Sequence, residues 1–454
     1  MATSESPRFL AGVVEGFYGP PWSQAERGEL FAALATGGLN TYLYAPKDDL
    51  KHRTLWRETY TAEETAKLES LVQGCQSRGL LFIYALSPGL DIRYGDPTEL
   101  ARLRARFTQM LAAGCEHFAL LFDDIPDRMN ADDAEEFGSF AAAQCHVTNA
   151  LARWTRERSP AARFLFCPTP YCGRMAERKL GGANYLETIG SELWSEIDVL
   201  WTGPEIISRE ITVPHVRDLQ RWLRRKPILW DNLHANDYDG RRFYCGPYAG
   251  RSPELRAAVG GLLLNPNCEF ALNFVPLRTF AAFVRSPGPW EPRTAYLAAM
   301  AEWLPHFATV HEPVSLEDLV LLGDCYYLPF EEGAEAEVFF QRARALIPTG
   351  PAPEAEAAGT FLAQSTRLRE LCTRLTELRN RPLFYALSRR IWELREELDL
   401  LERYVTSTGA GQASDAECRS DFHLPATYRG GFLPKLQRLL AQRADGSFTP
   451  SSVS

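Results

Sequence analysis

The sequence predicts an α/β protein in which a TIM-type (β/α)8 barrel is followed by an all-α helical domain. Between residue 9 and about residue 285, short apolar runs rich in β-branched and aromatic residues alternate with longer amphipathic segments. Eight such runs follow one another in a single series. Beyond about residue 305 the strand-like runs stop and helical periodicity takes over.

Each of the eight runs has the composition of a strand that is buried on both faces of a parallel sheet. Their starts are roughly 30 to 45 residues apart, which leaves room for one crossover helix in each unit. An open doubly wound sheet is the main alternative, but no Gly-X-Gly-X-X-Gly turn or P-loop supports it. In chain order the predicted strands span 10–17, 41–47, 80–87, 117–124, 163–169, 197–203, 227–232 and 268–274.

The helical region contains two apolar heptad series separated by the turn signal Asn380-Arg381-Pro382, which predicts an antiparallel helical hairpin. Such a series forms either the core of a helix bundle or a seam that pairs with a second chain. The first series consists of Phe361, Leu368, Leu371, Leu375 and Leu378, and the second of Phe384, Leu387, Ile391, Leu394, Leu398, Leu401 and Val405. We predict a barrel domain at 9–304, a helical domain at 305–446 and flexible tails at 1–8 and 447–454.

Composition and charge exclude several classes of function. The 49 basic and 58 acidic residues give a net charge of -9, which disfavours a nucleic acid partner. No secretion signal and no long apolar stretch occur, so we expect no membrane association. The ten scattered cysteines and the absence of an Asn-X-Ser/Thr sequon predict reduced thiols in the cytoplasm, and also in the nucleus if the source is a eukaryote.

The sharpest chemical feature is Asp123-Asp124 at the end of the fourth predicted strand, because a barrel enzyme carries its active site at the carboxyl ends of its strands. Both side chains can serve one pocket only if the chain is already leaving the strand there. Neighbouring carboxylates separate each other's proton affinities, which suits acid/base chemistry on a glycosidic bond. The alternative is a solvated turn or a helix N-cap without catalytic function.

Further polar and aromatic residues follow other strands and predict a carbohydrate pocket. Each alone could be a buried polar residue or a core aromatic, but together they converge on one end of the barrel. They are Lys47, Tyr171, Trp230, Asn232, Asp237 and Asn265. The sequence has no His-Glu-X-X-His motif and no Gly-X-Ser-X-Gly motif, so we predict no metal, no cofactor and no serine nucleophile.

Four segments together resemble glycoside hydrolase family 84: GVVEGFYG at 12–19, YLYAPKDD at 42–49, FALLFDDI at 118–125 and WDNLHANDY at 230–238. The similarity covers the whole barrel. It extends into the helical region at 326–329 and 422–431, which resemble the stalk domain of that family. Because several long motifs occur in the correct order, the resemblance is specific.

The resemblance implies a retaining exo-β-N-acetylglucosaminidase that removes β-linked N-acetylglucosamine (GlcNAc) from serine and threonine of proteins. In such enzymes the 2-acetamido group of the substrate is the nucleophile and an oxazoline forms. Asp123 would accept the acetamido N–H, and Asp124 would be the general acid and then the general base. The family pattern places Gly16, Lys47, Asn232, Asp237 and Asn265 at the sugar hydroxyls, and Tyr171 and Trp230 at the acetamido pocket.

The resemblance also implies a homodimer formed through the stalk helices. Animal members carry a long insertion in the stalk and an acetyltransferase-like domain, so we expect this chain to be a compact form without them. Two other functions stay open. One is hydrolysis of GlcNAc from glycans such as hyaluronan or peptidoglycan fragments, and the other is a catalytically idle sugar-binding scaffold, which the intact aspartate pair disfavours.

Overall fold

A closed barrel of eight parallel strands dominates the computed structural model, which describes residues 9–347, 355–409 and 430–451. Each strand is hydrogen-bonded to the next in chain order, and β8 pairs with β1 to close the barrel. The predicted fold class is therefore confirmed. The strands are β1 Leu10–Glu15, β2 Thr41–Tyr44, β3 Leu81–Leu86, β4 His117–Leu121, β5 Phe164–Cys167, β6 Ile197–Trp201, β7 Ile228–Asp231 and β8 Gly261–Leu264.

The eighth strand is not where the sequence analysis placed it. Residues 268–274 contain a 3-10 turn, Phe270–Leu272, and the start of a helix, whereas β8 is the short run Gly261–Leu264. Pro266 has no backbone N–H to donate, so the strand cannot continue far beyond Asn265. As a result, Asn265 stands directly at the carboxyl end of β8.

Ten α-helices between Gln24 and Arg285, a range that the structure describes in full, surround or connect the strands. The two that follow β1 and β2 begin with complete capping boxes, Ser23 with Glu26 and Thr61 with Glu64, which fix where each helix starts. The helices are α1 Gln24–Thr36, α2 Ala62–Gln76, α3 Pro97–Ala112, α4 Ala131–Phe137, α5 Phe140–Arg158, α6 Gly173–Glu177, α7 Tyr185–Glu192, α8 Val213–Leu223, α9 Leu255–Ala258 and α10 Phe274–Arg285.

The chain divides into two compact units. The first holds all eight barrel strands and comprises the residues up to Asp237 together with 248–270 and 280–290. The second comprises 238–247, 271–279 and the described residues from Glu291 onward. The domain boundary at residue 304 stays a prediction.

The second unit is mainly helical, and its two long helices form the predicted antiparallel hairpin. Leu387, Ile391 and Leu394 of the second heptad series are buried within this unit, which favours the bundle-core alternative. Its elements are α11 Pro292–Trp303, α12 Leu316–Cys325, α13 Ala334–Leu346, α14 Ala355–Arg374, α15 Arg381–Gly409, α16 Phe432–Gln437, β9 Leu440–Gln442 and β10 Phe448–Pro450. Most of the motif predicted at 422–431 lies outside the described residues.

Part of the segment expected to be a flexible tail, 447–454, is instead a strand. Phe448–Pro450 pairs antiparallel with Leu440–Gln442, and the Phe448 side chain is buried. The turn between the strands contains Asp445 and Gly446, and Gly446 has a φ of 82°. Asp-Gly between two short strands is a hairpin signal that the sequence analysis overlooked.

Candidate active site

Asp123 and Asp124 lie in a turn directly after β4, which ends at Leu121. Asp124 has a φ of 49°, in the left-handed region, so the backbone turns at the pair rather than continuing the strand. Asp123 is 7% exposed, whereas Asp124 is open to solvent. The chain has therefore left the strand before the carboxylates, which is the condition for both to serve one pocket.

The Asp123 carboxylate is held by Lys47, which follows β2. The Lys47 Nζ donates to Asp123 Oδ2 at 2.6 Å. Burial raises the pKa of Asp123, but the positive charges of Lys47 and Arg53 outweigh it and hold that pKa below its usual value. The other oxygen, Oδ1, is buried and has no hydrogen-bond partner among the described residues. An ionised carboxylate with one oxygen held and one unsatisfied is ready to accept an N–H from a ligand.

The Asp124 carboxylate accepts two tyrosine hydroxyls. Tyr171, after β5, donates to Oδ1 at 2.8 Å, and Tyr18, after β1, donates to Oδ2 at 3.1 Å. Burial and then the negative charge of Asp124 raise the pKa of both tyrosines, so each stays a protonated donor. The sequence analysis missed the Tyr18 contact, although Tyr18 lies in the segment at 12–19 that carries part of the family resemblance.

Asn232 and Asn265, which follow β7 and β8, form a linked pair of amides. Asn265 Nδ2 donates to Asn232 Oδ1 at 2.9 Å, and Asn232 Nδ2 donates to the Ile206 carbonyl at 2.8 Å. Asn265 Oδ1 is buried and has no partner among the described residues. This unsatisfied acceptor suits a sugar hydroxyl donor.

The aromatic wall of the site is Trp230, the third residue of β7, and it packs directly over Gly16. A Cβ atom on Gly16 would lie 2.2 Å from Trp230 Cζ2, so only glycine fits beneath the indole. The Lys47 ammonium lies 6.0 Å from the centre of the Trp230 ring. Gly16 thus has a local steric reason to be glycine.

Asp237 lies in the long loop after β7 and contacts the loop after β1. Its Oδ2 accepts the backbone N–H of Tyr18 at 2.9 Å. All nine predicted site residues therefore stand at the carboxyl ends of barrel strands, within one compact unit. They are Gly16, Lys47, Asp123, Asp124, Tyr171, Trp230, Asn232, Asp237 and Asn265.

The described residues contain no group of three His, Cys, Asp or Glu side chains that could hold a metal ion. In the same part of the chain, no helix has both the length and the apolar character needed to cross a membrane.

Known proteins resemble this chain in sequence and in structure. The family model described as β-N-acetylglucosaminidase matches residues 11–315. Proteins named "Protein O-GlcNAcase" from Rattus norvegicus and Mus musculus are 48% identical to it over 285 residues, which cover 63% of this chain and 31% of each relative. A solved variant of the Thermobaculum terrenum O-GlcNAc hydrolase superposes with a TM-score of 0.78 at 28% identity, covering 90% of this chain and 86% of that one. The chain thus spans about a third of the length of the curated relatives that it matches.

Proposed function

Since the chain belongs to the β-N-acetylglucosaminidase family of glycoside hydrolases, we propose that it removes O-linked GlcNAc from serine and threonine of proteins with net retention. The names of the relatives, O-GlcNAcase and O-GlcNAc hydrolase, support this substrate. The observation that carries the proposal is the pair of unlike carboxylates at the end of β4. Asp123 is buried and kept ionised, and Asp124 faces solvent, where a leaving group and a water molecule can reach it.

In the first step, Asp123 Oδ1 accepts the N–H of the 2-acetamido group. This hydrogen bond turns the acetamido carbonyl oxygen toward the anomeric carbon and stabilises the positive charge that develops on the group. The carbonyl oxygen attacks the anomeric carbon, and the glycosidic bond breaks with its electron pair leaving on the serine or threonine oxygen. A bicyclic, N-protonated oxazoline forms, and its N–H stays hydrogen-bonded to Asp123. The protein therefore needs no carboxylate as the nucleophile. This agrees with the hydrogen bond from Lys47 to Asp123 Oδ2, which leaves that oxygen unavailable for attack.

Asp124 carries the proton. In its protonated form it donates to the departing serine or threonine oxygen, and as the carboxylate it then accepts a proton from the water that opens the oxazoline. Tyr18 and Tyr171 fix the orientation of this carboxyl group. The sugar hydroxyls are bound in this proposal by Lys47, Asn232, Asp237 and Asn265. The backbone at Gly16 also lies close to the sugar ring.

Turnover of defined substrates separates the candidate functions. We expect release of the aglycone from an aryl β-N-acetylglucosaminide and of GlcNAc from an O-GlcNAc-modified protein. Faster hydrolysis of hyaluronan or peptidoglycan fragments than of the modified protein would favour the glycan-directed alternative. Sugar binding without turnover of any of these substrates would indicate a catalytically idle sugar-binding scaffold.

We also propose that the chain forms a homodimer through a face of α15 that the helical unit does not bury. Tyr385 and Trp392 lie seven positions apart on one side of this helix and are 68% and 50% exposed. Aromatic side chains at such exposure are typical of an interface. Sedimentation velocity should give a dimer for the native chain and a monomer for Tyr385→Glu with Trp392→Glu. A native monomer at micromolar concentration would contradict the proposal.

A cytoplasmic location is proposed on the chemistry of the cysteines. Eight cysteines in the described ranges are free thiols, and all eight are buried. Free thiols on this scale suit a reducing compartment. Imaging of the full chain in its source cells tests the location, and accumulation outside the cytoplasm and nucleus would contradict it.

A further inference from the structure

The backbone at Asp124 is held in an unusual conformation. Only three non-glycine residues in the described ranges have a positive φ, and Asp124 is one of them. Left-handed geometry is unfavourable for L-residues, although Asp tolerates it better than most, and it is held in place where the surroundings favour it. At Asp124 the conformation also decides where the proposed proton donor points.

The side chain of Arg53 contacts the backbone on both sides of this residue. Its Nη2 donates to the Asp124 carbonyl at 2.6 Å, and its Nη1 donates to the Asp123 carbonyl at 3.2 Å. These two carbonyls belong to the peptide groups that precede and follow the Asp124 Cα atom. One planar guanidinium therefore fixes the two peptide planes whose relative orientation defines φ and ψ of Asp124.

Arg53 is itself anchored to the barrel. It ends the 3-10 turn Leu50–His52 after β2, and its Nη1 also donates to Ser87 Oγ at 3.1 Å. Ser87 directly follows β3, and its backbone N–H donates to the His52 carbonyl at 2.9 Å. Arg53 is 7% exposed, so water competes little for these bonds. These hydrogen bonds thus connect the turn after β4 to the ends of β2 and β3.

We propose that Arg53 is a positioning residue that holds Asp124 in the left-handed conformation needed for proton transfer to the leaving group. Its side chain donates to Ser87 and to the backbone of the aspartate pair, so it acts through Asp124 rather than on the substrate. The inference rests on the proposed function, because it assigns Arg53 to the general-acid step of that reaction.

The test is Arg53→Lys, which keeps the positive charge but cannot bridge two carbonyls in a fixed plane. A misplacement of about 1 Å can cost on the order of 100-fold in rate. We therefore expect kcat/KM for an O-GlcNAc serine peptide to fall between about 10- and 100-fold. For a dinitrophenyl glycoside, which leaves without protonation, the loss should be under about 3-fold.

Arg225→Lys is the matched control. Arg225 also donates to several carbonyls, those of Leu193, Trp194, Ile197 and Leu223, but it does so near the start of β6, at the opposite end of the barrel from the site. We expect equal, small changes on both substrates for this variant. If it shows the same leaving-group dependence as Arg53→Lys, that dependence reflects general loosening of the barrel and the proposal fails.

A double-mutant cycle with Asp124→Asn makes the assignment specific. In the Asp124→Asn background, Arg53→Lys should lower kcat/KM by less than about a further 2-fold. If the two residues acted independently, their separate losses would multiply. Multiplying losses, or equal losses of Arg53→Lys on both glycosides, would overturn the positioning role.

If Arg53→Lys does not fold, Ser87→Ala removes only the anchor and should give a smaller loss with the same leaving-group dependence. A native enzyme inactive on every β-N-acetylglucosaminide would refute the proposed function itself, whereas an active native enzyme with an unaffected Arg53→Lys would refute this inference alone.

Discussion

Replacing Gly16 by alanine adds a single methyl group, and the structure gives the distance at which this group would clash with Trp230. The new Cβ would lie 2.2 Å from Trp230 Cζ2 and 2.6 Å from Cη2. Carbon atoms in ordinary contact are about 3.5 Å apart, so the indole must recede by about 3.5 minus 2.2, or 1.3 Å. Trp230 belongs to the same buried apolar cluster as Tyr171 and Cys167, which limits how far the ring can move.

A shift of this size predicts both a kinetic and a stability effect. A displacement near 1 Å costs on the order of 100-fold in rate, so kcat/KM on an aryl β-N-acetylglucosaminide should fall by about that factor. Overpacking should also cost about 1–3 kcal/mol in the free energy of unfolding. Both are measured on purified Gly16→Ala, by initial rates and by urea denaturation.

Gly28→Ala provides the matched control for this prediction. A Cβ at Gly28, in α1, meets no atom within 4 Å, so its activity should equal that of the native protein. Its stability should rise by about 0.4–1 kcal/mol, because alanine restricts the unfolded chain. If Gly16→Ala keeps native kcat/KM and native stability, the close approach to Trp230 is not a constraint and the reasoning is wrong.

Further predictions concern the carboxylates and a buried ion pair. Asp124→Asn should slow an O-GlcNAc peptide by at least about 100-fold more than a dinitrophenyl glycoside, and equal losses would contradict the acid assignment. Asp123→Asn should slow both substrates, because oxazoline formation precedes either departure, and a native rate on the dinitrophenyl glycoside would refute its role. Lys47 lowers the pKa of Asp123 against the opposing effect of burial, so the acid limb of the kcat/KM profile should follow that low pKa. Lys47→Met should move this limb to higher pH, and an unmoved limb would contradict the coupling. Arg251→Met should destabilise the protein by about 3–5 kcal/mol in urea unfolding, because it leaves the Asp231 carboxylate buried without its partner, and a change below about 1 kcal/mol would contradict this.

Much of the fold could be predicted because parallel barrel strands are buried on both faces and stand out as apolar runs. The eighth strand was misplaced because Gly261–Leu264 is short, while the longer apolar run at 268–274 holds a 3-10 turn and the start of a helix. Length alone could not tell a buried strand from a buried helix. The Asn-Pro-Asn sequence at 265–267 was the signal that marked the true strand end.

The site was predictable in its polar residues but not in the contacts that orient them. Strand-end position identified Lys47 and the aspartate pair, since the barrel gathers strand ends at one face. It could not identify Arg53, whose donors meet backbone carbonyls that every residue has. Nor could the heptad series of α15 show which face is covered, because a bundle core and a dimer seam share one pattern.

The central claim, that the substrate's own acetamide is the nucleophile, is tested most directly by weakening that nucleophile. Aryl glycosides of GlcNAc with acetyl, fluoroacetyl, difluoroacetyl and trifluoroacetyl groups differ in the basicity of the carbonyl oxygen while keeping nearly the same shape. If Asp123 orients this oxygen for attack, kcat/KM should fall steeply and monotonically with each added fluorine. A rate that is unchanged across the series would contradict substrate assistance and would require a nucleophile from the protein.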